Sequence, residues 1–310
     1  MPEAGLQVAE VQTPEVVPSV AEPVDRELRW ERGADGVAWL TLNRPEAGNA
    51  LSPALREDLI RRLDDASRDP LTRVVVLTAA GSRHFCTGAD LGAAPVPLPP
   101  GTGEPRDTRL PSDDGLPPGL PERPAGSVAR AVAGGAQRLI TSVLDCEKPV
   151  IAAVNGTAAG IGSHLAYACD LVLAADTAKF VEIFVRRGLV VDGAGAYLLT
   201  RRIGVHRAKE LIFFGDDLPA AEAERLGLVN RVVPAGELTQ AARAWARRLA
   251  EGPTVALGLG KRLVNRALDV DRAAALAEEA MAAEINMASE DGQEGLRAFR
   301  ERRTPAFRGW

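Results

Sequence analysis

Two short runs of small residues offer bare backbone for chemistry. One lies in Phe85-Cys86-Thr87-Gly88-Ala89-Asp90-Leu91, the other in Val154-Asn155-Gly156-Thr157-Ala158-Ala159-Gly160-Ile161-Gly162. Each follows a strongly apolar, β-branched run and leads into a helical pattern. Turns without bulk let ligand atoms approach N–H groups. Two such groups aimed at one oxygen form an oxyanion hole, which is often the largest single contribution to catalysis at a carbonyl. One turn alone reads as tight packing. Two, about seventy residues apart, read as a paired device.

The side chains that could move protons lie just downstream. His164 comes three residues after Ile161, so on a helix the two share a face. A helix N-terminus disfavours the protonated imidazole, which leaves a neutral acid/base or hydrogen-bond donor; a hydrogen-bonded core histidine is the alternative. Asp192 follows the apolar pair Val190-Val191, a setting that raises a carboxyl pKa and suits taking and returning a proton. It is equally placed to be the N-cap of a helix beginning near Gly193. Glu182, in Phe180-Val181-Glu182-Ile183-Phe184, shares a face with Phe184 only if that segment is extended.

These groups need a scaffold. The spacing predicts two strands over 28–42, turning at Gly33-Ala34-Asp35-Gly36. A helix capped by Ser52 runs to about Ala66, and a buried strand spans 73–78. A helix over about 127–145, a strand over 149–154, a helix from Gly160 and a strand over 171–175 follow. Helices over 193–202 and 220–226 precede an almost wholly helical, amphipathic region over 237–301. Alternating strands and helices argue an α/β core with a helical C-terminal part. Residues 1–25, rich in Pro, Glu and Val, read as a flexible tail. The Pro- and Gly-rich 92–126 reads as a mobile lid or insert.

Composition narrows the classes. With 46% hydrophobic and 25% charged residues the chain reads as a globular protein. A net charge of −5 gives no global case for nucleic acid. No apolar run nears the ~18 residues of a membrane span. Cys86, Cys146 and Cys169 have no metal-ligand spacing with His84, His164 and His206, so no metal is expected, and the odd count suits a reducing cytoplasm. Gly160-Ile161-Gly162 lacks the third glycine of a dinucleotide fingerprint, and Lys261, in Gly258-Leu259-Gly260-Lys261, lacks phosphate-loop spacing. Ser163 has no Gly-x-Ser-x-Gly context.

The two turns resemble those of the crotonase, or enoyl-CoA hydratase/isomerase, family. The resemblance extends over Leu42-Asn43-Arg44-Pro45, Asn49-Ala50-Leu51, Ala168-Cys169-Asp170-Leu171, the stretch 221–229 and the tail Arg303-Thr304-Pro305-Ala306-Phe307. It implies a ββα spiral core over 26–236 and a C-terminal region over 237–310 that builds a trimer or a hexamer. It also implies N–H donors at Ala89 and Ile161. The CoA contacts implied are Ala47, Gly48, Ala89, Asp90, Leu91 and Lys261, with Asp90 also readable as a tie for its turn and Lys261 as a solvated helix lysine. Phe299 and Phe307 read as a cover for CoA or as packing. Coenzyme A enters as part of the substrate, with no tightly bound cofactor.

Family hydratases use two glutamates, but in this sequence those positions are His164 and Phe184. The stretch from Leu189 through Asp192 to Gly195 resembles the Leu-x-x-Asp-x-x-Gly of family isomerases, where the aspartate shuttles a proton. The expectation is therefore double-bond isomerisation in an acyl-CoA, with Asp192 as main proton carrier and His164 assisting. Hydration by His164 and Glu182, thioester or carbon–carbon hydrolysis, and non-catalytic acyl-CoA binding are the alternatives.

Overall fold

A computed structural model describes residues 26–92 and 126–310. The expected tail over 1–25, and the expected lid apart from Gly92 and Gly126, lie outside the described residues. The rest is a repeated strand–strand–helix. The middle repeats each give one longer strand to a six-stranded sheet and one three-residue strand to a four-stranded sheet.

The large sheet holds β1 (Leu28–Arg32), β2 (Val37–Leu42), β3 (Val74–Ala79), β5 (Val150–Val154), β7 (Leu171–Ala175) and β10 (Arg231–Val233), in that order. Only β1 and β2 are antiparallel; the remaining pairs are parallel. Every residue of β5 is buried, as are Val74 to Leu77 of β3. Parallel strands covered on both faces carry such continuous apolar runs. The small sheet orders β4 (His84–Cys86), β6 (Thr157–Ala159), β8 (Lys179–Val181) and β9 (Asp217–Pro219), with β9 antiparallel to β8.

Helix α1 (Pro53–Arg68) begins where Ser52 Oγ accepts the Leu55 N–H at 3.1 Å and Pro53 presets the first turn. Its buried face is Leu55, Leu59, Ile60, Leu63 and Ala66, a 3.6-residue stripe. The expected helix over 127–145 is α2 (Ser127–Val132) and α3 (Arg138–Leu144), joined by a π turn over Ala133–Gln137. Helix α4 (Ile161–Ala168) is buried throughout. Helix α5 (Gly195–Phe214) starts later and runs further than its spacing predicts, with a break at Gly204. Helix α6 spans Ala220–Arg225.

Helix α7 (Leu238–Ala250) buries Leu238, Ala242, Ala246 and Ala250 against β3, β5 and β7, its small side chains allowing close approach. Helices α8 (Thr254–Arg266), α9 (Arg272–Ala288) and α10 (Glu290–Glu301) complete the chain. They leave Val264, Met281, Ile285 and Phe299 exposed. The Asp291 carboxylate accepts the N–H groups of Arg308 and Gly309, both at 2.7 Å, and so fastens the C-terminal strand of chain to α10. No described helix is long and apolar enough to cross a membrane.

Candidate active site

The two small-residue turns leave the small sheet side by side, from the ends of β4 and β6. These strands pair in parallel, His84 with Thr157 and Cys86 with Ala158. Glycines permit the approach. A β-carbon at Gly156 would lie 2.5 Å from the Arg83 carbonyl, and one at Gly162 only 2.2 Å from the Cys86 oxygen. Three-residue strands carry no readable period. The sequence therefore suggests turns leaving the long buried runs, and the structure inserts the small sheet between them.

Two backbone N–H groups are left over. Ala89 forms a parallel bridge with Leu51 in which the Gly88 carbonyl accepts from Leu51 and the Asp90 N–H donates to Leu51. Alternation along an extended strand then turns the Ala89 N–H the other way, toward β6. Ile161 is the first residue of α4, after Gly160 at φ 55° and ψ −126°, a conformation open to glycine. Its N–H is one of the orphan donors of a helix start. Among the described residues neither N–H has a hydrogen-bond partner.

The first turn is tied down from below. Arg44 donates to Asp90 Oδ2 at 2.9 Å and to the Ala50 carbonyl at 2.8 Å, and pairs with Glu27 at 2.9 Å. Buried Asn49 accepts the Arg44 N–H and donates to the carbonyls of Ala80 and His84. Gly48 accepts both the N–H and the hydroxyl of Thr87 at 3.1 Å. Gly48 thus stands beside Thr87, two residues before Ala89. Asp90 holds its turn, and Leu91 is exposed beyond it. The sequence reading placed Arg44 and Asn49 in motifs but gave them no role, because their partners come from separate segments.

His164 and Glu182 meet. His164 Nε2 and Glu182 Oε2 share a hydrogen bond at 2.9 Å, and the two residues are 0% and 3% exposed. Phe184 stacks on the imidazole with centroids 5.5 Å apart. The chain after β8 leaves the extended conformation at Phe184, which opens a 3-10 turn over Val185–Arg187. Glu182 and Phe184 nevertheless both reach the ring. Gly193 and Gly195 close the other side. A β-carbon at Gly195 would lie 2.2 Å from His164 Nε2, and one at Gly193 would lie 3.2 Å from Ile161 Cγ1.

Asp192 enters next to this cluster. Burial raises its carboxyl above the ordinary carboxylate range, and the His164 imidazole partly offsets the rise. Its alternative role as N-cap is not taken up: α5 begins after Ala194 at φ 63°, with no side chain capping it. The neighbouring Cys86 thiol, buried beneath the first turn, is pushed up to about 12 and stays neutral.

Known proteins share this arrangement of sequence. A model of the family described as enoyl-CoA hydratase/isomerase matches residues 32–96 and 125–309. The chain belongs to that family. A Rhodobacter capsulatus protein described as a "probable enoyl-CoA hydratase" is 36% identical over 277 residues, 89% of this chain and 96% of that protein. The 1,2-epoxyphenylacetyl-CoA isomerase of Escherichia coli is 36% identical over 274 residues, 88% of this chain and 95% of the relative. The solved structure of an enoyl-CoA hydratase from Bacillus anthracis superposes with a TM-score of 0.78 at 33% identity, covering 92% of this chain and all of that one. The fold is the crotonase fold with its helical C-terminal region, and the chain is an acyl-CoA enzyme of the family.

One expected CoA contact of this family member is corrected. The Lys261 ammonium is buried, 2.9 Å from Asp170 Oδ2, and also donates to the carbonyls of Val143 at 2.8 Å and Lys148 at 3.3 Å. Three donors meet three acceptors, so none remains for a phosphate. Burial pushes the Asp170 carboxyl up, and Lys261 with the Val150 N–H draws it back. Lys261→Met is expected to cost about 3 kcal/mol, because it strands a buried carboxylate. Urea unfolding measures this, and an unchanged midpoint would mark the pair as solvated.

Proposed function

We propose that this chain moves a carbon–carbon double bond within an acyl-CoA thioester. The N–H groups of Ala89 and Ile161 take the thioester oxygen. Charge developing there acidifies the neighbouring carbons, and Asp192 carries a proton from one carbon to another. Ala47, Gly48, Asp90 and Leu91 lie where the rest of the CoA would pass.

The observation that carries this reading is how the carboxylates are used. Hydration needs two acid/base groups facing the double bond. Glu182 is buried and engages the His164 ring nitrogen through Oε2. The Asp192 carboxylate is half-buried, raised by that burial, and its oxygens take no hydrogen bond among the described residues, so it is the carboxylate left for the acyl chain. Among the relatives, the one from Escherichia coli is named an isomerase of an epoxide and others are named hydratases, so the choice rests on the carboxylates.

Mass spectrometry of acyl-CoAs incubated with the protein in deuterated water separates the outcomes. Deuterium uptake without gain of water supports isomerisation. Gain of one water points to hydration, and release of free CoA to hydrolysis. Binding with none of these would make the chain a binder.

We also propose that α8, α9 and α10 pack against other copies, giving a trimer or hexamer. Val264, Leu276, Met281, Ile285 and Phe299 are more than half exposed in one copy, and closed symmetry buries such surface. Light scattering at micromolar concentration is expected to give a mass of three or six chains; a monomer would reject this.

A further inference from the structure

Two buried polar atoms at the centre of the site have no hydrogen-bond partner: His164 Nδ1 and Glu182 Oε1. Leaving a buried acceptor unpaired costs about 1–3 kcal/mol, so an orphan of this kind calls for a reason. The tautomer explains how it arises. A carboxylate only accepts, so with Glu182 as the carboxylate and a neutral ring the bond between them puts the ring proton on Nε2 and a lone pair on Nδ1. The ring is held in that orientation. Phe184 stacks within 10° of parallel on one face, and the Gly195 backbone crowds the Nε2–Cε1 edge. The lone pair faces Gly193, where a β-carbon would lie 3.5 Å from Nδ1. The residue before Gly193 is Asp192.

We propose that His164 Nδ1 is a second proton station behind Asp192, with Glu182 the positioning residue that keeps this nitrogen bare and steadies the imidazolium when it forms. The proposal rests on the reading of Asp192 as proton carrier. The Asp192 carboxylate breaks a C–H bond of the acyl group and becomes a carboxylic acid, while the electron pair stays in the enolate held at Ala89 and Ile161. The new O–H donates to Nδ1. Transfer of that proton leaves an imidazolium between two carboxylates. The proton returns through Asp192 to a different carbon, and the enolate pair forms the new C–H bond. Nothing else is consumed.

Other titratable groups around the ring hold their charge. Tyr167, on the same helix, is pushed well above its usual range by burial and by Glu182, so it stays neutral. Cys86, on β4, stays a thiol. Arg202, on α5, is a fixed cation whose field reaches Tyr167. The charge that His164 meets therefore comes from Glu182 on one nitrogen and Asp192 toward the other.

Nitrogen-15 NMR of the whole protein labelled only at histidine reads this directly. His84→Gln and His206→Gln, both outside the site, assign the remaining signal to His164. At about pH 8 that signal is expected to show a protonated Nε2 and a bare Nδ1. In Asp192→Asn its titration midpoint is expected to fall by about one unit or more, since an anionic neighbour has gone, while His84 and His206 hold theirs. Glu182→Gln is expected to lower the midpoint as well. A proton resident on Nδ1 in the neutral ring, or a midpoint unmoved in Asp192→Asn, overturns the proposal. Both readouts survive if the Glu182 variant does not fold. No turnover is needed. Coupled nitrogens in a protein that leaves trans-3-hexenoyl-CoA and a wider acyl-CoA panel unisomerised would count against the isomerase reading alone. Isomerisation with uncoupled nitrogens would count against the relay alone.

Discussion

Changing Asp192 to asparagine is expected to lower the isomerisation rate by about 10²–10⁴-fold, the usual contribution of a general acid/base, while KM for the acyl-CoA stays near that of the unmodified protein. Stability should not fall with it. The Asp192 carboxyl is raised by burial, so the folded chain holds that proton more tightly than the unfolded one does. Such a group opposes folding increasingly as pH rises through the window between its unfolded and folded values. Asparagine carries no charge, so the variant's melting temperature at neutral pH is expected to equal or exceed the original. By the same shift, the acid limb of the pH–rate profile should lie above the ordinary carboxylate range and vanish with the residue. Near-full activity in the variant would remove Asp192 from the chemistry and shift attention to His164.

Alanine at Gly162 is expected to do comparable damage from the opposite side of the site. Its β-carbon would stand 2.2 Å from the Cys86 oxygen and 2.8 Å from the Cys86 carbonyl carbon. The obstacle is backbone within the small sheet, so α4 must shift away from the first turn. Ile161 opens α4, and its N–H leaves the shared oxygen. Loss of one such donor typically costs about 10²–10³-fold in kcat, and overpacking of this kind about 1–3 kcal/mol. Steady-state kinetics and denaturant unfolding on one preparation separate the two effects. A folded Gly162→Ala protein with unaltered kcat would show that the two turns need not touch for catalysis.

Much of this site was readable because it is written in missing side chains. Gly88, Gly156 and Gly162 mark places where backbone meets backbone, and runs of small residues after apolar segments are visible without a structure. The buried strands and the Ser52 cap were legible for the same local reason. What stayed hidden depends on distant partners. The Lys261 ammonium is claimed by Asp170, ninety-one positions earlier in the chain, and nothing near Lys261 announces it. Glu182 reaches His164 only because β8 lies beside β6 in the small sheet, whose three-residue strands carry no period. The capping reading of Asp192 was removed by the left-handed conformation of Ala194, which no propensity would assign to alanine.

Both proposed N–H donors are main-chain groups, one fixed by the bridge to Leu51 and one by the start of α4, whereas every proposed proton-handling group is a side chain projecting from that frame. The two halves can therefore evolve on separate schedules. On the proposed reading, exchanges at 164, 182, 184 or 192 would change which proton moves and where, and leave the grip on the thioester oxygen in place. Exchanges at 88, 156 or 162 strike the grip itself, whatever reaction it serves. A library randomised at the first set should yield folded proteins with altered or lost reactions. One randomised at the second should yield mostly proteins that fail in every reaction at once.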